Sequence, residues 1–200
     1  MEGRADGSKV IPLFQKRLSA VQDRVQLAFN FQPVKPLNVQ KASKWIVASY
    51  NIDRIFGPEL FFGIGMAEAW PQEKILLIKR TEGATSLYGA WNPDWEAVKA
   101  EALGEADRPN LYDDLLAYTR EVLSGYSADE YEICAVLWVQ GERDAEVEVA
   151  AEAYGENLRK LVERLRVDLG NETLPFLLFQ VGQGKVVEGM ERVAKEVPKV

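Results

Sequence analysis

An apolar run that stops on Gln-Gly-Glu constrains this chain more than any other stretch. Residues 133–139 are apolar throughout, and Gln140-Gly141-Glu142-Arg143-Asp144 follows directly. A helical stripe then begins: Val147, Ala151, Tyr154, Leu158, Leu161, Leu165 and Leu169 recur at helical spacing until Gly170-Asn171. Such a run reads as a buried strand (Tyr131 to Val139) feeding a long amphipathic helix, the unit from which parallel sheets are built. Two readings of the junction stand. It is a site, because strand C-terminal ends in open α/β sheets carry the chemistry. Or it is a turn in which Gly141 relieves a tight bend and Asp144 caps the next helix.

The same alternation recurs on both sides. Gly57-Pro58-Glu59 opens a helix, with proline in the first turn and an acid at the positive end of the helix dipole. Leu60, Phe61, Ile64 and Ala67 continue it to Trp70-Pro71. Lys74 to Lys79 reads as a strand buried on both faces, and its end runs into a small-residue loop, Thr81-Glu82-Gly83-Ala84-Thr85-Ser86-Leu87. Leu111 to Leu123 is an amphipathic helix with Asp113 and Asp114 as first-turn charges. Leu174 to Val181 is a further strand and Val186 to Val197 a last helix. Helix and strand thus alternate from residue 57 onward. The order predicts an α/β fold: a three-layer α/β/α sandwich with a mostly parallel sheet, flavodoxin-like, in one domain over 1–200. Parallel strands place their C-terminal ends on one edge, which brings the Gly83 and Gln140 loops together.

Less is legible elsewhere. Residues 1–8 are glycine-rich and charged, followed by a short apolar piece, Val10 to Phe14. Val25, Leu27, Phe29 and Phe31 alternate as a strand does, before Pro33 and Pro36 interrupt. Tyr88 to Pro109 shows no period. Trp91 and Trp95 flank an Asn-Pro-Asp turn and read either as anchors of that loop or as a flat wall for a sugar ring.

Composition narrows the function. A formal charge of −7 leaves no basic footprint for nucleic acid, and no stretch is long and apolar enough to span a membrane. The one cysteine, Cys134, lies in the apolar run and reads as a small core residue. The chain has no histidine, which removes the commonest zinc sites and any Ser-His or Cys-His catalysis by these residues alone; no metal or cofactor site is expected. A nucleotide or flavin binder shares the architecture, but no Gly-X-Gly-X-X-Gly or Walker loop follows any strand.

Three motifs in order (Gly57-Pro58-Glu59-Leu60, Leu77-Ile78-Lys79 leading into Gly83-Ala84-Thr85-Ser86-Leu87, and Trp138-Val139-Gln140-Gly141-Glu142-Arg143-Asp144-Ala145) resemble the sialate O-acetylesterase and acetylxylan esterase group of the SGNH hydrolases. The resemblance spans nearly the whole chain. It implies removal of O-acetyl groups from carbohydrates by serine-dependent hydrolysis, with no cofactor, and commonly in exported proteins. It also implies that Met1 is the methionine of a Gly-Gln-Ser-Asn-Met motif, with the nucleophilic serine before residue 1. The family's Asp-X-X-His motif would then fall after residue 200. What remains is electrostatic: a backbone N–H from Gly83 and the side-chain amide of Gln140 as oxyanion donors, each typically worth about 3 kcal/mol in the transition state. Glu142 either orients the absent histidine or is structural. Thr85, Ser86, Trp91 and Gly141 would line the substrate. Two positions depart from the pattern: Ala84 stands where a second glycine is usual, and Arg143, in place of a common serine, has Glu142 or Asp144 to pair with. Ser86 as a replacement nucleophile would need a nearby lysine such as Lys79. The rival reading is a degenerate esterase that binds carbohydrate, using Trp91, Trp95 and the two loops, without turnover.

Overall fold

A computed structural model describes residues 5–200; Met1, and with it the expectation that it belongs to a serine motif, lies outside the described residues. The chain is an α/β fold forming two compact units, 1–81 and 82–200.

In the first unit, β1 (Ala5–Asp6) leads into α1 (Gly7–Val21), which runs through Pro12 and brings Leu18 and Val21 to the core. The alternating segment is a strand, β2 (Val25–Phe29). It pairs antiparallel with the edge piece β3 (Lys35–Pro36) and parallel with β6 (Ile75–Lys79), Val25 opposite Ile75 and Phe29 opposite Lys79. A second small sheet joins β1, β5 (Arg54–Phe56) and β4 (Gln40–Lys41), all antiparallel. The short helix α2 (Lys44–Tyr50) starts on Ser43, whose hydroxyl accepts the Ile46 N–H, and stops at Asn51 in a left-handed conformation. Helix α3 (Pro58–Ala69) has the bounds its sequence predicts. Its last carbonyls are held by Arg24, whose guanidinium donates to Ala67 O at 2.9 Å and Trp70 O at 3.2 Å. Glu59 does more than face the dipole: its carboxylate accepts the Gly57 N–H at 3.0 Å and the Lys79 ammonium at 2.7 Å.

The second unit holds α4 (Ala97–Ala102), α5 (Leu111–Leu123), β7 (Val136–Trp138), α6 (Glu142–Ala145), α7 (Glu148–Asp168), β8 (Phe176–Leu178) and α8 (Lys185–Glu196). Strands β7 and β8 are parallel, Val136 opposite Phe176 and Trp138 opposite Leu178. The expected stripe of α7 is the centre of the core: Tyr154, Leu158, Leu161 and Leu165 are fully buried. Helix α8 crosses α7 where two glycines meet, for a Cβ on Gly189 would lie 2.9 Å from Gly155 N and 3.0 Å from its Cα.

Both strands are shorter than their apolar runs. Only 136–138 of 131–139 and 176–178 of 174–181 pair in a ladder. Cys134, expected in the core, is exposed, because the chain reaches the β7–β8 ladder only two residues later. Leu177 and Phe179 on β8 and just past it are also open to solvent.

Candidate active site

Three loops meet in the second unit. The first is 82–91; the second, 139–142, leaves β7; the third, 179–184, leaves β8. Loops two and three touch through glycine. Gly141 sits at φ 152°, and a Cβ there would lie 2.9 Å from Val186 Cγ1 and 3.2 Å from the Val181 carbonyl. A Cβ on Gly182, at φ 81°, would lie 3.0 Å from the Gly141 carbonyl. Only residues without side chains allow this approach.

Loops one and two are tied by a buried carboxylate. Asp144 is fully buried in the single turn of α6, four residues after Gln140. Its oxygens accept the Leu87 N–H at 2.9 Å, the Tyr88 N–H at 3.0 Å and the Gln140 amide Nε2 at 2.5 Å. Gln140 Nε2 also donates to the Thr85 carbonyl at 3.2 Å. The Gln140 backbone carbonyl accepts from Tyr154 Oη at 2.6 Å, and Tyr154 Oη accepts from Trp138 Nε1 at 3.3 Å. This chain of bonds joins the end of β7, helix α7 and the 82–91 loop. It places the two loops together, as the sequence leads one to expect.

A second buried acid fixes the far side of the loop. Glu105 Oε2 accepts the Ala90 N–H at 2.9 Å and the Ser86 hydroxyl at 3.1 Å, while Ser86 Oγ accepts the Gly89 N–H at 2.8 Å. Gly89 has no room for a side chain, since a Cβ would come within 2.7 Å of Glu105 Oε2. Four consecutive backbone donors, residues 87 to 90, thus end on internal acceptors. Buried peptide N–H groups outside any ladder need such partners.

The electrostatics follow from the burial. Removing Asp144 from water penalises its charge and pushes its pKa from 3.8 up to about 6, against the pull of its three donors; nearby Glu105 adds to the rise. Burial likewise pushes the Tyr154 hydroxyl up, leaving it a neutral donor to Gln140.

The sequence-predicted residues fall into two sets. Gly83 and Ala84 are exposed, with Ala84 left-handed at φ 56°, where a glycine carries no penalty. Glu142 is exposed at the start of α6, beside the buried Gly141. Gln140 is buried, and its amide donors are engaged with Asp144 and Thr85, while its Oε1 has no hydrogen-bond partner among the described residues. Thr85, Ser86 and Trp91 are buried. Thr85 Oγ1 donates to the Glu82 carbonyl and accepts from Trp91 Nε1 at 3.0 Å. Trp91 packs edge-to-face on Trp138 with ring centroids 5.4 Å apart, so the indole offered as a sugar wall is an anchor inside the core. Ser86, with its hydroxyl between Glu105 and Gly89, faces no external ester, and Lys79 is paired with Glu59. Arg143 pairs with neither Glu142 nor Asp144; it binds Glu146 at 2.8 Å and donates to the Leu103 carbonyl at 2.7 Å. Asp144, Glu105 and Tyr154 carry more of the geometry than their sequence positions advertise. The one available signal was the Gln140–Asp144 spacing, one helical turn. Among the described residues no cluster of three or more metal-ligating side chains forms, and no helix is long and apolar enough to cross a membrane.

Comparison with known proteins adds a family to this geometry. A family model described as carbohydrate esterase, sialic acid-specific acetylesterase, matches residues 1–200. A probable carbohydrate esterase of Arabidopsis thaliana is 43% identical over 53 residues, which is 26% of this chain and 20% of that protein. The crystal structure carrying the same Arabidopsis locus name superposes with a TM-score of 0.59 at 22% identity, covering 88% of this chain and 66% of that one. A carbohydrate acetylesterase from Xanthomonas citri superposes with a TM-score of 0.59 at 19% identity, covering 98% of this chain and 45% of that one. At those identities the structural likeness speaks for the fold, and in each case the aligned part is under two thirds of the relative's own length.

Proposed function

Given that this chain belongs to the carbohydrate esterase, sialic acid-specific acetylesterase family, we propose that its second unit is the oxyanion-stabilising part of an esterase that removes O-acetyl groups from carbohydrates. The observation that carries this reading is the joining of the 82–91 loop to Gln140 through Asp144. That junction puts the exposed Gly83–Ala84 backbone and the Gln140 amide on one rigid support. An acetyl carbonyl becomes an oxyanion when a hydroxyl attacks it, and N–H donors held beside it lower the barrier most when little has to move as charge develops. In this reading the Gly83 N–H is one donor. Gln140 is the second, releasing its longer bond, to the Thr85 carbonyl, as the oxyanion forms. Glu142, exposed at the start of α6, orients the imidazole that accepts the nucleophile's proton and returns it to the departing sugar hydroxyl. In this reading the imidazole and the nucleophilic serine are supplied from outside residues 1–200, which contain no histidine.

The test is acetyl-ester hydrolysis on acetylated xylan and on O-acetylated sialic acid. The 200-residue chain should show no turnover sensitive to a serine-directed phosphonate. A chain extended through the flanking coding sequence should hydrolyse one of these esters, and should lose about two orders of magnitude in kcat on Gln140→Ala. Phosphonate-sensitive turnover by residues 1–200, or an extended chain indifferent to Gln140→Ala, refutes the assignment. The rival reading, carbohydrate binding without turnover by Trp91, Trp95 and the two loops, loses one of its two indoles with Trp91 inside the core, while Trp95 is half-buried.

A further inference from the structure

We infer that Asp144 is a positioning residue for the oxyanion donors: its carboxylate aims the Gln140 amide and holds the 82–91 loop in the one conformation that presents Gly83 and Ala84. The inference rests on reading these loops as an oxyanion site. It adds a residue that touches neither substrate nor reacting atoms.

Three features of the geometry support it. Asp144 is wholly buried, so its oxygens have no solvent to fall back on, and its contacts reach the main chain 56 and 57 residues upstream. Such long-range, charge-assisted bonds fix a loop that has no ladder of its own. The Gln140 amide has two possible orientations, and an acceptor at 2.5 Å selects the one with nitrogen toward Asp144 and Thr85. Turned the other way, Oε1 would face a carboxylate, which offers no proton. Finally, Gln140 Oε1 is buried without a partner among the described residues. The amide therefore gives up a hydrogen bond on its oxygen side to keep its donors where they are, and the bonds to Asp144, the shorter and charge-assisted one, and to Thr85 offset that loss.

Two single variants, Asp144→Ala and Gln140→Met, test this. Gln140→Met removes the amide and leaves Asp144 its two loop bonds, from the Leu87 and Tyr88 N–H groups. In it the loop should stay ordered while the oxyanion donor at position 140 is lost. Amide hydrogen exchange of the 200-residue chain, followed by NMR, reads loop order. Methylphosphonate, a tetrahedral anion with the shape of an acetyl adduct, reads the donors through the Gly83 and Ala84 amide shifts.

Asp144→Ala should speed exchange at Leu87 and Tyr88 at least about tenfold, the loss of one charge-assisted bond, with α7 amides unchanged. It should also weaken methylphosphonate by a similar factor. Gln140→Met should keep protection at both loop amides and still weaken methylphosphonate. Unchanged protection in Asp144→Ala overturns the inference. So does a Gln140→Met chain that binds methylphosphonate as the parent does, or one whose loop is as unprotected as that of Asp144→Ala. Should Asp144→Ala also lose its α7 protection, Asp144→Asn decides: with one oxygen in place of two it should speed exchange at Leu87 or Tyr88 while α7 holds, and protection kept at both amides overturns the inference. A parent chain that ignores methylphosphonate while the exchange pattern holds counts against the oxyanion reading and not against Asp144 as the loop's anchor.

Discussion

Asp144→Asn keeps the shape of the buried side chain and removes its charge, so the pH dependence of its effect measures what burial costs that charge. Asp144 is fully buried, and its pKa rises from 3.8 to about 6 because desolvation outweighs three hydrogen bonds. For an acid whose pKa is raised on folding, the native state binds the proton more tightly than the unfolded chain. Stability from this group is therefore fully present below 3.8, and it is lost as pH climbs through about 6. The whole displacement corresponds to about 3 kcal/mol, of which about 1 kcal/mol lies between pH 7 and pH 5. Asparagine has no such dependence. It turns one acceptor into a donor facing a loop N–H or the Gln140 amide, a penalty of about 1–3 kcal/mol at every pH.

The two contributions separate in urea titrations of both chains. At pH 7 the hydrogen-bond penalty of the asparagine and its relief of the buried charge oppose each other, so the gap in the parent's favour should be small. At pH 5 that gap should be wider by about 1 kcal/mol, because the parent gains from protonation and the variant does not. Carboxylates elsewhere titrate identically in both chains and cancel in the difference. A gap that stays constant, or narrows toward acid, refutes the reasoning: it would mean that the donors from Leu87, Tyr88 and Gln140 hold the carboxylate ionised more strongly than burial opposes it.

Gly189→Ala should destabilise by about 1–3 kcal/mol in thermal or urea unfolding, since its Cβ would meet the Gly155 backbone of α7 and neither helix can give way cheaply. Gly65→Ala, in α3 with open space at its Cβ, should instead stabilise by about 0.5–1 kcal/mol; equal effects at the two glycines would deny the packing account. Ala84→Gly should raise stability by up to about 1 kcal/mol by relieving the left-handed backbone at φ 56°, and a loss of stability would show that Ala84 is unstrained. Glu59→Gln keeps an acceptor for the Gly57 N–H but leaves the Lys79 ammonium, 2.7 Å away and mostly buried, without its counter-charge; it should cost about 1–3 kcal/mol in urea unfolding, and a neutral result would mean that Lys79 reaches water.

How far the sequence could be read depended on the range of the interaction behind each feature. Helix α3 was legible because its stop and start are local: Gly57-Pro58 opens it and Trp70-Pro71 closes it. Helix α7 was legible because one face of 3.6-residue periodicity meets one core. Helix α1 was not, because Pro12 sits inside it and reads locally as a breaker. The strands were overextended because apolar composition does not stop where the hydrogen-bond ladder does, which is why Cys134 and Tyr131 lie outside β7 and are exposed. Trp91 could be wall or anchor from its spacing; only the distant Trp138, which it packs against, decides for anchor.

The Asp144 case shows why the site was harder to read than the fold. An aspartate just inside a helix start has an ordinary local explanation as a cap. Its actual donors lie on a loop more than fifty residues away, and nothing in the intervening pattern signals them. Yet the requirement itself is derivable. Leu87, Gly89 and Ala90 are buried in a stretch with no strand or helix to pair it, so their N–H groups must find side-chain acceptors. Within the second unit those acceptors are Asp144, Ser86 and Glu105. Two carboxylates are thus spent on internal backbone, and the adjoining residues 83 and 84 are where the loop reaches solvent, which is why the proposed oxyanion donor is assigned to them and not to residues 87 to 90.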